Sequence, residues 1–166
     1  MSSPDLLEPP ASIPTERRTL IEEMGRAVRA QQNAIDAFDE AAAATLGLSR
    51  SDLRALDVLQ QRGRLTAGEL AQAARVSRGA MTGLVDRLES AGFVRRVHDT
   101  QDRRRIFIEL SDDGIERALK VYGPVAARGW TAAEGLTDDQ LRLLRDVALQ
   151  SRDFYEAQTA RLLEAS

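Results

Sequence analysis

The residues of this chain whose type and spacing could do chemistry are arginines, concentrated in one stretch. Between Arg75 and Arg105 the sequence holds eight arginines and four acidic residues, whereas the rest of the chain holds 15 basic and 22 acidic ones. The planar guanidinium group carries five N–H donors, which suits it to phosphate groups and to the edge of guanine. The stretch therefore predicts a basic face that attracts a polyanion despite the net charge of −3.

The composition offers little to other kinds of chemistry. The sequence has no cysteine and a single histidine, His98, which excludes disulfides, thiolate metal sites and thiol redox sensing and leaves almost no imidazole. It shows no glycine-rich phosphate loop and no evident pair of catalytic carboxylates. We therefore expect no catalytic residue, no bound metal and no cofactor, and we interpret His98 as the end of a strand.

Length and apolar content indicate one small domain with helical extensions. No apolar run approaches the roughly 18 residues that a membrane span needs, and the chain does not open with a signal peptide. The expected location is therefore the cytoplasm, without membrane contact. Residues 1–14 hold four of the five prolines and are predicted to form a disordered arm.

The arginine-rich stretch and the residues just before it contain the signals of a helix–turn–helix. Thr66 and Glu69 have the spacing of a capping box at the start of a short helix. After the turn 74–76, Ser77 is placed to cap a further helix with apolar residues at core spacing. The opposite face of that helix is predicted to read a DNA groove through Ser77, Arg78, Gly79, Thr82 and Arg87. An ordinary amphipathic surface helix would show the same spacing, so the helix alone does not decide the function.

Two short strands are predicted next, because the apolar period falls from 3.6 residues to about two after Gly92. Residues 93–98 and 105–110 have the pattern of a hairpin with a polar tip. Such a tip can insert an arginine into the minor groove, where the negative potential is strongest. The predicted wing residues are Asp102, Arg103, Arg104 and Arg105. Asp102 is expected to orient a neighbouring arginine through a charge-assisted hydrogen bond; a solvated charged turn is the alternative.

A long helix precedes this module. It is predicted from about Thr15 to Leu46, with Gly47 as its end, and its apolar residues follow a sustained heptad pattern. So small a chain cannot bury the whole seam internally, which indicates contact with a second copy; packing on its own domain is the alternative. A second helix is predicted from the Ser49 cap to about Gly63.

Two further helices are predicted after the hairpin. Ser111 caps a fifth helix that is interrupted around Gly123–Pro124, and Thr137 with Gln140 forms a capping box that opens a sixth helix. The sixth helix carries its own apolar stripe. The predicted dimerisation residues of the first and last helices are Ile21, Met24, Val28, Leu144, Val147 and Phe154.

The sequence resembles the MarR family, the multiple antibiotic resistance regulators. The resemblance spans about residues 20–163 and rests on Leu48-Ser49, Glu69-Leu70-Ala71, LVDRLE at 84–89, Gly92-Phe93-Val94 with Arg96, Asp102-Arg103-Arg104 and LSDDG at 110–114. It implies a homodimeric transcription regulator whose terminal helices interdigitate and whose winged modules bind a pseudo-palindromic operator. Many members repress their targets and release DNA when a small anionic or aromatic molecule binds. Gly83 stands where a larger polar or basic residue is common, and the lack of cysteine removes the thiol-oxidation switch of one branch.

Together these features predict a mainly α fold with a small β-hairpin, a winged helix-turn-helix flanked by N- and C-terminal dimerisation helices. We expect an arm at 1–14, a dimerisation helix at 15–47, the DNA-binding module at 48–114 and the completing helices at 115–166. The expected function is that of a ligand-responsive homodimeric repressor that binds double-stranded DNA and a small aromatic or anionic effector. A winged-helix adaptor for a protein partner, without sequence-specific DNA binding, is the alternative.

Overall fold

The computed structural model describes residues 12–102 and 104–164, which are mostly helical with one small sheet. The elements in chain order are α1 (Thr15–Leu46), α2 (Arg50–Arg62), β1 (Leu65–Thr66), α3 (Ala67–Ala74), α4 (Arg78–Ser90), β2 (Val94–His98), β3 (Ile106–Leu110), α5 (Asp112–Ala133) and α6 (Asp138–Glu164). The expected mainly α fold class is confirmed. Residues 1–11 of the predicted arm and the predicted wing residue Arg103 lie outside the described residues. Within those residues, no helix combines the length and the apolar character that crossing a membrane requires.

The predicted helix boundaries around α2 are confirmed by local contacts. Gly47 ends α1 in the left-handed conformation, with φ at 71°, which glycine adopts without a steric penalty. At the start of α2 the Asp52 N–H donates to the Ser49 hydroxyl oxygen at 3.2 Å, and the Ser49 N–H donates to the Asp52 carboxylate at 3.0 Å. This reciprocal capping box satisfies two backbone donors that α2 cannot satisfy itself.

The sheet has three antiparallel strands in the order β1-β3-β2. The predicted hairpin has two strands, so β1 is the strand that the prediction missed. In the additional pairing, Leu65 lies opposite Ile108 and Thr66 opposite Phe107. Two residues are too few to show the polar and apolar alternation that marks a strand in a sequence. The position of β1 therefore depends on its pairing with β3, which lies about 40 residues further along the chain. The hairpin predicted at 93–98 and 105–110 is confirmed as β2 and β3.

The core lies where α2, α3 and α4 pack together and against the sheet. Its largest fully buried side chains are Leu70, Met81, Leu84, Val85, Leu88, Phe93 and Ile108. Burial of each such side chain contributes about 1.5–3 kcal/mol to folding. The core therefore holds the helix–turn–helix rigidly on the sheet.

The helix α5 begins at the predicted Ser111 cap, whose hydroxyl accepts a hydrogen bond from the Gly114 N–H at 2.9 Å. The predicted interruption at Gly123–Pro124 is wrong, because α5 continues through Pro124 to Ala133. A proline removes one backbone donor and strains the preceding turn, and the rest of this 22-residue helix outweighs that local cost.

The described residues divide into two compact units, with the boundary between Ile115 and Glu116. The first unit contains the core and the sheet. In the second unit none of the described residues is buried, and α6 exposes a series of large apolar side chains. The predicted capping box of α6 is confirmed, since the Thr137 N–H donates to Gln140 Oε1 at 2.8 Å and the Gln140 N–H to Thr137 Oγ1 at 3.3 Å.

Candidate nucleic-acid interface

The turn between α3 and α4 is fixed by backbone hydrogen bonds. Arg75 ends α3 in the left-handed conformation, with φ at 55° and ψ at 43°, which is uncommon for a residue that has a Cβ. The Val76 N–H that follows donates to the Ala71 carbonyl at 2.9 Å. Ser77 then caps α4 by accepting a hydrogen bond from the Ala80 N–H at 3.3 Å. The predicted helix–turn–helix is therefore present, with α4 as the candidate recognition helix.

The two faces of α4 differ in what they contact. The residues that it buries are Met81, Leu84, Val85 and Leu88. Its opposite face is exposed and carries all five residues that sequence reasoning assigned to groove reading, Ser77, Arg78, Gly79, Thr82 and Arg87. Within the described part of the chain, Arg78 forms no ion pair, so its guanidinium group is available to an external anion.

Two glycines on this exposed face are not required by packing inside the protein. Among the described residues, a Cβ at Gly79 would meet no heavy atom within 4 Å, and one at Gly83 would meet the Arg87 guanidinium at 3.9 Å. Glycine within a helix costs roughly 0.5–1 kcal/mol relative to alanine. Without side chains at these two positions, another molecule can approach the backbone of α4 closely.

Arg87 is anchored to the protein. Its Nη2 donates to Asp52 Oδ1 at 2.8 Å, and the Asp52 side chain is 6% exposed whereas that of Arg87 is 60% exposed. Burial by itself raises the pKa of Asp52, but hydrogen bonds from the Ser49 hydroxyl and backbone, together with Arg87, outweigh it and lower that pKa. A buried carboxylate requires its partner, so Arg87 ties α4 to the start of α2. Sequence reasoning assigned Arg87 to groove reading and did not find this partner.

Arg96 on β2 forms a second tie to α4. Its Nη2 donates to Asp86 Oδ1 at 2.6 Å, and its Nη1 donates to the Glu89 carboxylate. The Arg96 backbone N–H also donates to Glu89 Oε1, at 3.2 Å. The hydrogen bond to Asp86 is the main reason why the pKa of Arg96 is raised. Since β2 is an edge strand, Glu89 also covers part of an open sheet edge, and the wing strand and α4 are held together.

The loop between β2 and β3 is shaped by short-range hydrogen bonds. The Asp99 N–H donates to the Arg105 carbonyl at 3.0 Å, and the Arg105 N–H donates to the Asp102 carbonyl at 2.9 Å. The Asp102 carboxylate accepts a hydrogen bond from the backbone N–H of Arg104 at 3.0 Å. Its predicted role in orienting a neighbouring guanidinium group stays a prediction, because Arg103 lies outside the described residues. Within the described residues Arg104 forms no ion pair, and it is exposed. Asp102 thus fixes the turn that presents Arg104.

Arg105 lies over the sheet. Its Cζ is 5.0 Å from the centroid of the Phe107 ring, and the Cζ of Arg64 is 4.8 Å from the same centroid. Phe107 is buried while both arginines are exposed, so the two arginines cover the ring. Arg64 precedes the arginine-rich stretch, so the charge pattern of the sequence does not indicate it.

The charge of Arg105 also acts on Glu69 in α3. The pKa of Glu69 is lowered, mainly by hydrogen bonds from Thr66 and to a smaller extent by the charge of Arg105.

The structure sorts the arginines of the basic stretch into two groups. Arg87 and Arg96 pair with carboxylates as described, and Arg95 Nε lies 2.7 Å from Glu109 Oε1. Those without an ion pair in the described part of the chain are Arg75, Arg78, Arg104 and Arg105. The first group supports the fold, and the second group can bind a polyanion; Arg103 lies outside the described residues.

Comparison with known proteins assigns the chain to a protein family. Residues 48–106 match the family model described as the MarR family. The uncharacterized HTH-type transcriptional regulator YcgE of Bacillus subtilis (strain 168) is 35% identical over 125 residues, which are 75% of this chain and 81% of the relative. The chain belongs to the MarR family. The resemblance found in the sequence is therefore confirmed, and this MarR-family protein is a transcription regulator with a DNA-binding helix–turn–helix fold.

Solved structures share the MarR fold. The apo structure of wild-type MarR from E. coli covers 76% of this chain and 95% of its own, at 21% identity and a TM-score of 0.53. The structure of NadR in complex with 4-hydroxyphenylacetate covers 87% of this chain and 96% of its own, at 24% identity and a TM-score of 0.57. These likenesses support the mainly α winged-helix architecture.

Proposed function

We propose that this MarR-family regulator is a homodimeric repressor that binds a pseudo-palindromic operator and releases it when a small aromatic or anionic effector binds. The observation that carries the proposal is the exposed face of α4, where Arg78, Thr82 and two glycines face solvent on a helix tied to the wing. Such a face fits the major groove, with Arg78 and Thr82 at base edges and Ser77 at a phosphate. Arg104 at the wing would enter the adjacent minor groove.

A second copy of the chain is inferred from apolar surface that the single chain leaves exposed. Ile21, Met24 and Val28 on α1 are between 43% and 56% exposed, and their counterparts on α6 are exposed as well, namely Leu144, Val147 and Phe154. The 27-residue helix α6 buries none of its residues. Amphipathic helices gain most of their stability from packing an apolar face. A second copy of the chain, related by a two-fold axis, would cover these exposed residues and supply that packing.

The dimer is tested by sedimentation or light scattering of the full chain. We expect a dimer at micromolar concentration, and we expect Leu144→Glu to shift it to monomer. Gln150→Glu, which adds the same charge to a polar exposed position of α6, is the matched control and leaves the dimer intact. A wild-type monomer at micromolar concentration would contradict the dimer and the two-half-site operator with it.

The effector is proposed from the likeness to NadR, whose structure contains 4-hydroxyphenylacetate. A described cleft beside α1 does not suit an anion, because Asp36 and Glu40 line it and its Arg50 already pairs with Asp36 at 2.8 Å. Trp130 is the single tryptophan of the sequence and is 78% exposed, so its fluorescence can report binding. A panel of aromatic carboxylates should include one that changes this fluorescence and releases the operator. If no member of the panel does both, the ligand-responsive part of the proposal is contradicted.

The operator is tested by selection from a random DNA pool, followed by titration at several salt concentrations with a scrambled competitor. We expect tight, salt-dependent binding to a palindromic sequence that the competitor does not abolish. In cells, where the regulator would act in the cytoplasm, a reporter under this operator should be repressed. Weak binding that ignores sequence would contradict the proposal and favour a winged-helix adaptor with a protein partner.

A further inference from the structure

We infer that Arg64 and Arg105, stacked on Phe107, form a binding site for a backbone phosphate of DNA. The inference rests on the proposed operator binding and deepens it. It adds a contact from the segment between α2 and α3, a part of the chain that carries none of the residues assigned to DNA from the sequence.

Two cations converge on one aromatic ring at this site. The Cζ atoms of Arg64 and Arg105 lie 4.8 Å and 5.0 Å from the Phe107 centroid, so they are no more than about 10 Å apart. Thr66 pairs with Phe107 across β1 and β3. Arg64 and Arg105 each directly precede a strand, and both guanidinium groups lie over the ring of Phe107. The two guanidinium groups therefore share one surface at the base of the wing.

Within the described residues, neither Arg64 nor Arg105 forms an ion pair. Glu109 pairs with Arg95 at 2.7 Å. Glu69 Oε2 accepts hydrogen bonds from the Thr66 N–H and hydroxyl at 2.8 Å and 2.7 Å, and the charge of Arg105 acts on this carboxylate without an ion pair between them. The ring orients the two cations without cancelling their charge, so the pair gains most from an anion that both can reach.

A phosphate group matches what the two arginines offer. A guanidinium group that stacks on a ring makes a cation–π contact, and the N–H donors at its edge remain available to phosphate oxygens. The site adjoins the loop that presents Arg104, and charges on one DNA strand recur about every 3.4 Å along the axis. A wing inserted in the minor groove therefore brings the flanking backbone past Arg64 and Arg105. A free phosphate ion has the same chemistry, and the experiment separates these two sources.

The test uses Arg64→Gln in the full chain and the dependence of DNA affinity on salt. We expect affinity at low salt to fall several-fold and the slope of log affinity against log salt to flatten by about 1 per protomer. The ratio of operator to scrambled DNA should stay unchanged, because phosphate contacts carry no sequence information. Arg62→Gln removes the same charge two residues earlier, from an exposed arginine that does not stack on Phe107, and should leave the slope unchanged. Phe107→Leu keeps both charges and removes the ring, and should weaken DNA binding part of the way.

The outcomes separate failure of this inference from failure of the proposed function. If the wild type binds its operator and Arg64→Gln has the same slope, the phosphate site is overturned while operator binding stands. An equal loss in Arg62→Gln would show a general charge effect and would also overturn it. A wild type that binds no DNA overturns both. Inorganic phosphate at constant ionic strength provides the last arm: if it raises the unfolding temperature of the wild type and not of Arg64→Gln, and the DNA slope is unchanged, the site binds a free anion and the DNA assignment is overturned.

Discussion

The Nη2 of Arg87 lies 2.8 Å from the Oδ1 of Asp52 and joins the recognition helix α4 to the first turn of α2. The same carboxylate completes the capping box with Ser49, so one buried acid serves two helices. An arginine on the exposed face of α4 is thereby committed to holding that helix in place. The orientation in which α4 would meet DNA under the proposed function therefore depends on a contact within the protein.

Asp52→Asn should lower the free energy of unfolding by about 1–3 kcal/mol at neutral pH, because it removes a charged hydrogen bond from a buried position. The pKa of Asp52 is lowered from its ordinary value of 3.8, so the contribution of the carboxylate is complete above that value and is lost as the pH falls through the folded pKa. The difference between wild type and variant, measured by denaturant unfolding, should therefore shrink as the pH falls from about 4 through the lower pKa of the folded state. Asp57→Asn, on the exposed face of α2, is the control and should change stability by less than about 0.5 kcal/mol. A constant difference across this pH range would show that the charge of Asp52 is not the cause.

Arg96→Gln should weaken operator binding more than Arg95→Gln does. Both arginines lie on β2 and both pair with carboxylates, but Arg96 reaches Asp86 and Glu89 on α4 whereas Arg95 reaches Glu109 on β3. Each change should cost about 1 kcal/mol of stability or less, as for exposed ion pairs. Operator affinity and unfolding temperature are measured for both variants. Equal losses of affinity would indicate that the tie between wing and recognition helix does not matter for binding.

Gly83→Ala should stabilise the protein and weaken its binding to DNA. Alanine has the higher helix propensity and meets no obstacle within the described residues apart from an ordinary contact with Arg87, so we expect a gain of about 0.5–1 kcal/mol. The added methyl group would stand between α4 and the groove. Gly129→Ala, in the interior of α5 with open space around it, is the control and should stabilise without changing affinity. Unchanged DNA binding in Gly83→Ala would show that α4 does not approach DNA closely at this position.

Arg78→Ala and Thr82→Ala should each relax sequence preference at one base pair of a half-site. A direct contact to a base edge is worth about 1–3 kcal/mol of discrimination. The measurement is binding to a set of operators that differ by single base pairs, with Arg128→Ala, an exposed arginine of α5, as the control. Uniform weakening across the whole set would assign these residues to phosphate contacts.

Helix starts and the hairpin were predictable because they depend on neighbours in the sequence. The caps at Ser49, Thr66, Ser77, Ser111 and Thr137 each bond a residue three positions ahead. Such contacts are the same whatever the rest of the chain does, and the apolar spacing between them marks the buried faces. The helix–turn–helix, the wing and the exposed face of α4 follow from this local information.

Tertiary structure alone decided which arginines serve the fold and which remain available to DNA. Asp52 and Arg87 are 35 residues apart, and Arg64 meets Phe107 only because β1 pairs with β3. The charge pattern counts arginines without revealing their partners, since ion pairs and ring contacts depend on which elements pack side by side. Local pattern therefore determined where the DNA-binding module lies, and long-range packing determined its chemistry residue by residue.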